Sequence, residues 1–217
     1  MSALETASVP RSRLANFILA TVAVFAAVLV AIHFLRADVD PTVQMTDAYQ
    51  RGAYSSIFTV ALLLLGAGQL ALALTLYRAL PGSIGTTIGV ILLGYGAAGT
   101  LLLPILPLPQ PGAPPTAMGT IAQINGPLHV LSLALGALLV SWRFNDDEAW
   151  RPARGVAMIL SGSMLLLFVL VAFVTQTPDA GFAGLTQRIF VILTLVWSAL
   201  VALKLRKLST SLFSESE

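Results

Sequence analysis

The chain lacks cysteine and is poor in charge, with only 12 Lys and Arg and 10 Asp and Glu among its 217 residues. The lack of cysteine excludes a disulfide framework, thiol chemistry, an iron–sulfur cluster and a cysteine-based zinc site. A water-facing domain carries about a quarter charged residues. A content of 10% charged and 57% hydrophobic residues therefore indicates an integral membrane protein. The net charge of +2 is too small to indicate a nucleic-acid partner.

Six long apolar stretches account for most of the sequence. A helix rises 1.5 Å per residue, so it needs about 20 apolar residues to cross a hydrocarbon core roughly 30 Å thick. We therefore predict an all-α, polytopic bundle of six transmembrane helices over residues 14–207. The predicted spans are residues 14–35, 56–77, 84–104, 123–142, 155–174 and 187–207. Residues 1–13 precede the first span, and we expect residues 208–217 to form a disordered polar tail.

The distribution of Lys and Arg predicts that both termini face the cytoplasm. Nine of these residues fall on the side of the termini and three, Arg36, Arg51 and Arg188, on the opposite side. The side richer in Lys and Arg is normally the cytoplasmic one. The first span is longer than a signal-peptide core and lacks a small-residue cleavage site, so we expect it to be retained. These features predict a multi-pass protein of the inner or plasma membrane.

Two stretches stand out by their proline and glycine content. The connection between the third and fourth spans is rich in proline, and we expect an extended, polyproline-like cap over the outer face. The third span is rich in glycine, including the GxxxG pair Gly85 and Gly89. Small residues allow helix backbones to approach closely in a membrane, and we expect packing within the bundle rather than dimerisation. The prolines are Pro104, Pro107, Pro109, Pro111, Pro114 and Pro115.

Polar side chains on the fourth span predict a buried polar face. Asn125, His129 and Ser132 follow one another at intervals of four and three residues, so they lie on one side of a helix. Polar groups are costly inside a membrane. We therefore expect this face to point into the bundle near its outer end.

Further polar residues fall at the same outer level and complete a predicted pocket. Gln187 and Arg188 begin the sixth span, and Asp40 and Asp47 lie in the first outer connection. We expect Arg188 and His129 to face Asp40 or Asp47 across an outward-opening pocket. In the alternative interpretation, Arg188 extends to lipid headgroups, the aspartates are solvated, and His129 hydrogen-bonds a neighbouring helix.

No cofactor or metal is predicted. A haem held by two histidines needs both at matching depth, and His33 lies at the membrane edge, where we expect a structural role. A zinc site would need His33, His129 and an aspartate together. Gln69, deep in the second span, is expected to hydrogen-bond a neighbouring helix. The sequence contains no nucleophile motif, HExxH, P-loop or dinucleotide fingerprint.

Four short motifs follow one another along the chain: Asp40-Pro41, Thr46-Asp47, Gly126-Pro127-Leu128-His129, and Gly184-Leu185-Thr186-Gln187-Arg188 followed by Trp197. In their order and spacing they resemble the bacterial and archaeal membrane proteins grouped as domain-of-unknown-function family 998. The resemblance implies six spans and no assigned activity. Where this chain has Pro109 and Gln187, the family pattern has Asp and Glu, so two carboxylates are absent here.

These residues lead to three hypotheses of function. The first is a protein that binds or senses a lipid or small amphiphile, with Arg188 on an anionic headgroup and His129 and Asn125 as hydrogen-bonding partners. Membrane lipids are then its expected partners, and no protein partner is indicated. The second is an enzyme acting on lipid headgroups, with His129 as general base or metal ligand and Asp47 or Asp40 as its partner. The third is a structural or accessory subunit.

Overall fold

Six α-helices follow one another along the chain in the computed structural model, which describes residues 3–106, 114, 116–175 and 181–214. All six are long and apolar enough to cross a membrane. The predicted six-span, all-α fold is therefore confirmed, and the chain is a multi-pass membrane protein. The helices are Ala3–Leu35 (α1), Ser55–Ala79 (α2), Ile84–Leu102 (α3), Ala117–Arg143 (α4), Arg151–Val174 (α5) and Ala183–Ser214 (α6).

The helices form a closed ring. Each one packs against its neighbours in sequence, and α6 packs against α1. Helix α6 also touches α2 and α4 across the ring. The connections alternate between two ends of the bundle. We call the end where α1 begins and α6 finishes the terminal end, and the other, which carries the connection of residues 36–54, the cavity end.

Helix α4 begins about two turns before the predicted span. Thr116 caps it, since its hydroxyl accepts a hydrogen bond from the backbone N–H of Gly119 at 3.0 Å. Pro127 lies inside the helix and has no N–H, so the carbonyl of Gln123 lacks its usual helical partner. Neighbouring helices make such an interruption tolerable in a membrane. Because α4 begins at Ala117 rather than at residue 123, His129 lies deeper below the start of its helix than the sequence predicts.

Other boundaries also differ from the predicted ones. Helix α6 continues to Ser214, into the predicted disordered tail. Its last turns remain helical because Leu205 and Leu208 pack on the hydrophobic core and Ser209 is buried. Helix α1 begins at Ala3, well before residue 14. The expected proline-rich cap falls on residues 107–113 and 115, which lie outside the described residues.

Large aromatic side chains fill the terminal end of the ring. Phe144, Trp150 and Trp197 are almost completely buried. The rings of Phe144 and Trp150 stack with their centres 4.6 Å apart. The indole Nε1–H of Trp197 donates to the hydroxyl of Ser141 at 2.9 Å, which joins α6 to α4. This end of the ring is therefore a packed core.

Glycines allow α3 and α4 to approach closely. A Cβ added at Gly136 would lie 2.8 Å from both the carbonyl oxygen of Gly89 and the backbone nitrogen of Leu93. A Cβ at Gly89 would lie 2.9 Å from a methyl group of Val140, and one at Gly85 3.2 Å from Arg143. Both members of the predicted GxxxG pair therefore face α4, and the expected packing within the bundle is confirmed.

We predict that Gly136→Ala destabilises the bundle by about 1–3 kcal/mol, the usual cost of overpacking. The new methyl group would press on the backbone of α3, which cannot move aside as a side chain can. Thermal unfolding in detergent measures the effect. Gly94→Ala, also on this helix pair, is the matched control, because no part of the chain that the structure describes lies within 4 Å of a Cβ at Gly94. Equal unfolding temperatures for the two variants would contradict the prediction.

Candidate functional site

A cavity of about 600 Å³ lies inside the ring, in the half next to the cavity end. All six helices and the 36–54 connection contribute to its wall. Its volume falls within the range of about 300–1,000 Å³ found for small-molecule sites. The middle of the wall is apolar, and its residues include Phe25, Phe58, Leu62, Leu65, Leu103, Val130, Phe168, Val171, Phe190, Val191 and Leu195.

The mouth of the cavity is polar. Asp47, Gln50 and Arg51 line it from the 36–54 connection, Gln123 from α4 and Gln187 from α6. Asp47 and Gln50 belong to a short 3₁₀ helix, Thr46–Gln50. The side-chain carbonyl of Gln187 accepts a hydrogen bond from the backbone N–H of Thr46 at 2.7 Å. This bond holds the 3₁₀ helix beside α6 and so places Asp47 at the mouth.

The deep end of the cavity is polar as well. Gln69, Thr100, His129 and Thr194 line it, from α2, α3, α4 and α6. The Nδ1 of His129 lies 2.9 Å from the carbonyl oxygen of Asn125. Because that oxygen can only accept, Nδ1 is the donor and Nε2 is left with a free lone pair. A polar group is thus present at both ends of an otherwise apolar space.

Arg188 is buried in a hydrogen-bonded cluster beside the cavity. Its side chain, with a residue exposure of 6%, donates to five acceptors. Its Nε–H donates to Nε2 of His33 at 2.7 Å. His33 can accept there because its Nδ1 bonds to the carbonyl of Leu29. The other acceptors are Pro41 O at 2.8 Å, Gln44 O at 2.6 Å, Gly184 O at 3.1 Å and Tyr49 Oη at 3.1 Å.

The first turn of α6 docks the 36–54 connection through its backbone. The N–H of Gly184 donates to Val43 O at 3.2 Å, and the N–H of Leu185 donates to Thr42 O at 3.0 Å. A Cβ at Gly184 would lie 2.8 Å from Pro41 O, so only glycine allows this approach. Residues 184–188, one of the motifs of the family resemblance, therefore act together to hold the connection over the bundle.

A second arginine secures the same connection at its two ends. Arg36 forms two hydrogen bonds of 2.7 Å with the carboxylate of Asp38. It also donates to the carbonyls of Arg51 at 2.5 Å and Ala53 at 3.1 Å. The hydrogen bonds with Asp38 raise the pKa of Arg36, and those with Arg36 lower the pKa of the Asp38 carboxyl. Both residues are ionised at neutral pH.

The predicted site residues are divided between the cavity and its surroundings. His129, Asp47 and Gln187 line the cavity. Asn125 lies behind His129 and donates to the carbonyl of Gly99 at 3.0 Å. Arg188 and Asp40 are absent from the cavity lining, and Arg188 contacts backbone carbonyls and His33 rather than either aspartate.

Asp40 stabilises a turn in the connection. Its carboxylate accepts from the backbone N–H of Thr42 at 2.8 Å and from the Thr42 hydroxyl at 2.6 Å. The hydroxyl contributes most to lowering the pKa of the Asp40 carboxyl. Asp40 thus shapes the segment that Arg188 holds.

Two residues have larger roles than the sequence indicates. His33, expected at the membrane edge, is the partner of the Arg188 Nε–H. Gln69, expected to hydrogen-bond a neighbouring helix, lines the cavity, and its Oε1 has no hydrogen-bond partner among the described residues. A sequence signal existed for each, because an ionisable or amide group inside a span is costly unless it is used. Within the described ranges, no three His, Asp or Glu side chains lie close enough to hold a metal ion.

Comparison with known proteins gives one match. The model of the family described as "Protein of unknown function (DUF998)" matches residues 19–204. The match includes parts of all six helices and all the residues of the cavity wall. No curated protein and no solved structure matches the chain.

We predict that Arg188→Met destabilises the protein by about 3 kcal/mol, because each buried acceptor left unpaired costs about 1–3 kcal/mol. The 36–54 connection should also become sensitive to protease. Arg188→Lys should restore little, since an ammonium group cannot reproduce the planar donor set of a guanidinium. Thermal unfolding and limited proteolysis in detergent measure both effects.

The control is Arg206→Met, which removes an exposed arginine at the terminal end. If Arg188→Met and Arg206→Met behave alike in both assays, Arg188 does not hold the connection.

Proposed function

The chain belongs to the DUF998 family of proteins of unknown function, as its motifs predict, and we propose from the cavity itself that it binds or senses a lipid or small amphiphile. The observation that carries the proposal is a cavity of about 600 Å³ with a polar mouth and apolar walls. An amphiphile matches this arrangement in one orientation. Its headgroup lies at the mouth, and its chain lies against the apolar wall.

The apolar wall supplies the driving force for binding. Aromatic and aliphatic side chains from several helices surround the middle of the cavity, including Phe58, Phe168 and Phe190. Burying apolar area stabilises a complex by roughly 25 cal/mol per Å². A ligand without an apolar chain would leave this wall in contact with water.

The mouth supplies the polar contacts. Asp47 and Arg51 have opposite charges, and Gln50, Gln123 and Gln187 offer amide donors and acceptors. The sequence predicts Arg188 as the contact for an anionic headgroup. In the fold its N–H groups already donate to five protein acceptors. The proposal therefore assigns Arg188 to holding the mouth in place, and headgroup contact to the residues of the mouth.

Filling the cavity should abolish binding. Gly126 lines the cavity, and no atom of the described residues lies within 4 Å of a Cβ added there. The variant Gly126→Phe should therefore fold normally while its ring occupies the space of the ligand. We expect native mass spectrometry of protein from mild detergent to show retained lipid reduced by about tenfold, which corresponds to about 1.4 kcal/mol.

The matched control is Gly94→Phe, at a helical glycine that has equal room but does not line the cavity. This variant should retain lipid as the unchanged protein does. If Gly126→Phe retains as much lipid as Gly94→Phe, the cavity is not the binding site.

The proposal also places the mouth on the outer side of the plasma membrane, as the Lys and Arg distribution predicts. The chain has no cysteine, so single cysteines can report on each side. In intact cells a membrane-impermeant maleimide should label Val43→Cys, in the 36–54 connection, and should not label Glu148→Cys, between α4 and α5. The opposite pattern would reverse the orientation.

A further inference from the structure

The polar groups at the deep end of the cavity each offer an acceptor, and the amide of Gln69 offers N–H donors as well. The hydroxyl of Thr100 donates to Gly96 O at 3.1 Å, and that of Thr194 donates to Phe190 O at 2.9 Å. Each hydroxyl hydrogen is used within its own helix, so each oxygen keeps lone pairs. The Nε2 of His129 has a free lone pair because the ring donates from Nδ1 to the carbonyl of Asn125.

Gln69 adds a fourth acceptor that is buried and unpaired. Its residue exposure is 6%, and its Oε1 has no hydrogen-bond partner in the part of the chain that the structure describes. A buried acceptor without a partner is costly. Proteins rarely keep one, and such a group calls for an explanation. Gln69, Thr100, His129 and Thr194, from four helices, thus bring acceptors to the deep end of a cavity whose walls above them are apolar.

We propose that the deep end recognises a hydroxyl group at the buried end of the ligand, so that the ligand is an amphiphile with a hydrogen-bond donor at the far end of its chain. The inference rests on the proposed function, since it takes the cavity to be a ligand site. An unsubstituted alkyl chain would leave the acceptors unpaired. An ammonium group would be stripped of water without a facing carboxylate, which makes a neutral hydroxyl the better match.

The depth of the cavity sets the length of the chain. Thr194 follows Gln187 by seven residues on α6, which places it about 10 Å below the mouth at 1.5 Å per residue. A carbon chain advances by somewhat less than its bond length of about 1.5 Å per atom. A chain of about eight to ten carbons therefore joins the headgroup at the mouth to a hydroxyl at the deep end.

Three matched probes test the inference: decanoate, ω-hydroxydecanoate and ω-methoxydecanoate. The methoxy probe keeps the oxygen and lacks the donor. Binding to the full chain in nanodiscs is measured by calorimetry, and the Gly126→Phe protein in identical nanodiscs gives the background of partition into the bilayer. We expect the hydroxy probe to bind about tenfold more tightly than the other two, the range of a net hydrogen bond to a buried partner.

The outcomes separate this inference from the proposed function. If no probe binds the unchanged protein above the Gly126→Phe background, the proposed function fails. If all three bind above background with equal affinity, the cavity is a ligand site and the hydroxyl inference is overturned. The second result is expected if a water molecule, rather than a ligand hydroxyl, pairs with Gln69.

Two variants assign the preference to named residues. Gln69→Met keeps the side-chain volume and removes the acceptor, so it should reduce the preference for the hydroxy probe to about threefold or less. It should also raise the unfolding temperature of the unliganded protein, because it removes an unpaired buried carbonyl. Thr194→Val removes a second acceptor at the same depth and should weaken the preference independently. An unchanged preference in both variants would overturn the inference.

Discussion

A guanidinium buried at the end of a membrane helix must find acceptors for its N–H groups, and the cavity end of this protein is organised by how Arg188 does so. Its acceptors come from α1, from α6 and above all from the backbone of the 36–54 connection. Backbone carbonyls of the connection accept from it in place of a carboxylate. The bonds therefore fix the path of the backbone rather than the position of one side chain. The positions of Asp47 and Gln50 at the mouth depend on these bonds, because both belong to the 3₁₀ helix that begins two residues after Gln44.

The described helices pack tightly at the terminal end and enclose a cavity in the other half because their small residues are used differently. Between α3 and α4, Gly89 and Gly136 bring the backbones together, and the space that remains is taken by Leu93 and Val140. On the same helix α4, a Cβ added at Gly126 would meet no atom of the described residues within 4 Å. Pro127 follows it directly, where the helical hydrogen bonding is interrupted. Lipid tails do not drive helices together as water does, so the close approach of α3 and α4 depends on these small residues.

The six spans could be predicted from the sequence because each one is a local property of about 20 consecutive residues. The polar face of α4 followed equally from helical spacing. The pairing of Arg188 could not be predicted, since its partner His33 is 155 residues away in sequence. Attraction between opposite charges alone favours Asp40 or Asp47 as the partner of an arginine. The hydropathy pattern also predicts too short a helix for α4, because the helix begins after its cap at Thr116, before the apolar run starts. The deep position of Gln69 was visible in the sequence, but its lack of a partner is a property of the assembled ring.

The shape of the cavity favours binding over passage. A path from the mouth to the terminal end would have to cross the layer formed by Trp197, Ser141 and Phe144, all with almost no exposed surface. The indole and hydroxyl of Trp197 and Ser141 are hydrogen-bonded to each other, so opening that layer would break a buried polar pair as well as apolar packing. The mouth, by comparison, is lined by side chains that water can reach, including Gln123. A ligand of the kind proposed would enter at the mouth, reach Gln69 and His129 at the deep end and leave by the same route. A cavity with one mouth is suited to holding one molecule in a fixed orientation, with its polar group at the mouth and an apolar chain that extends to the deep end.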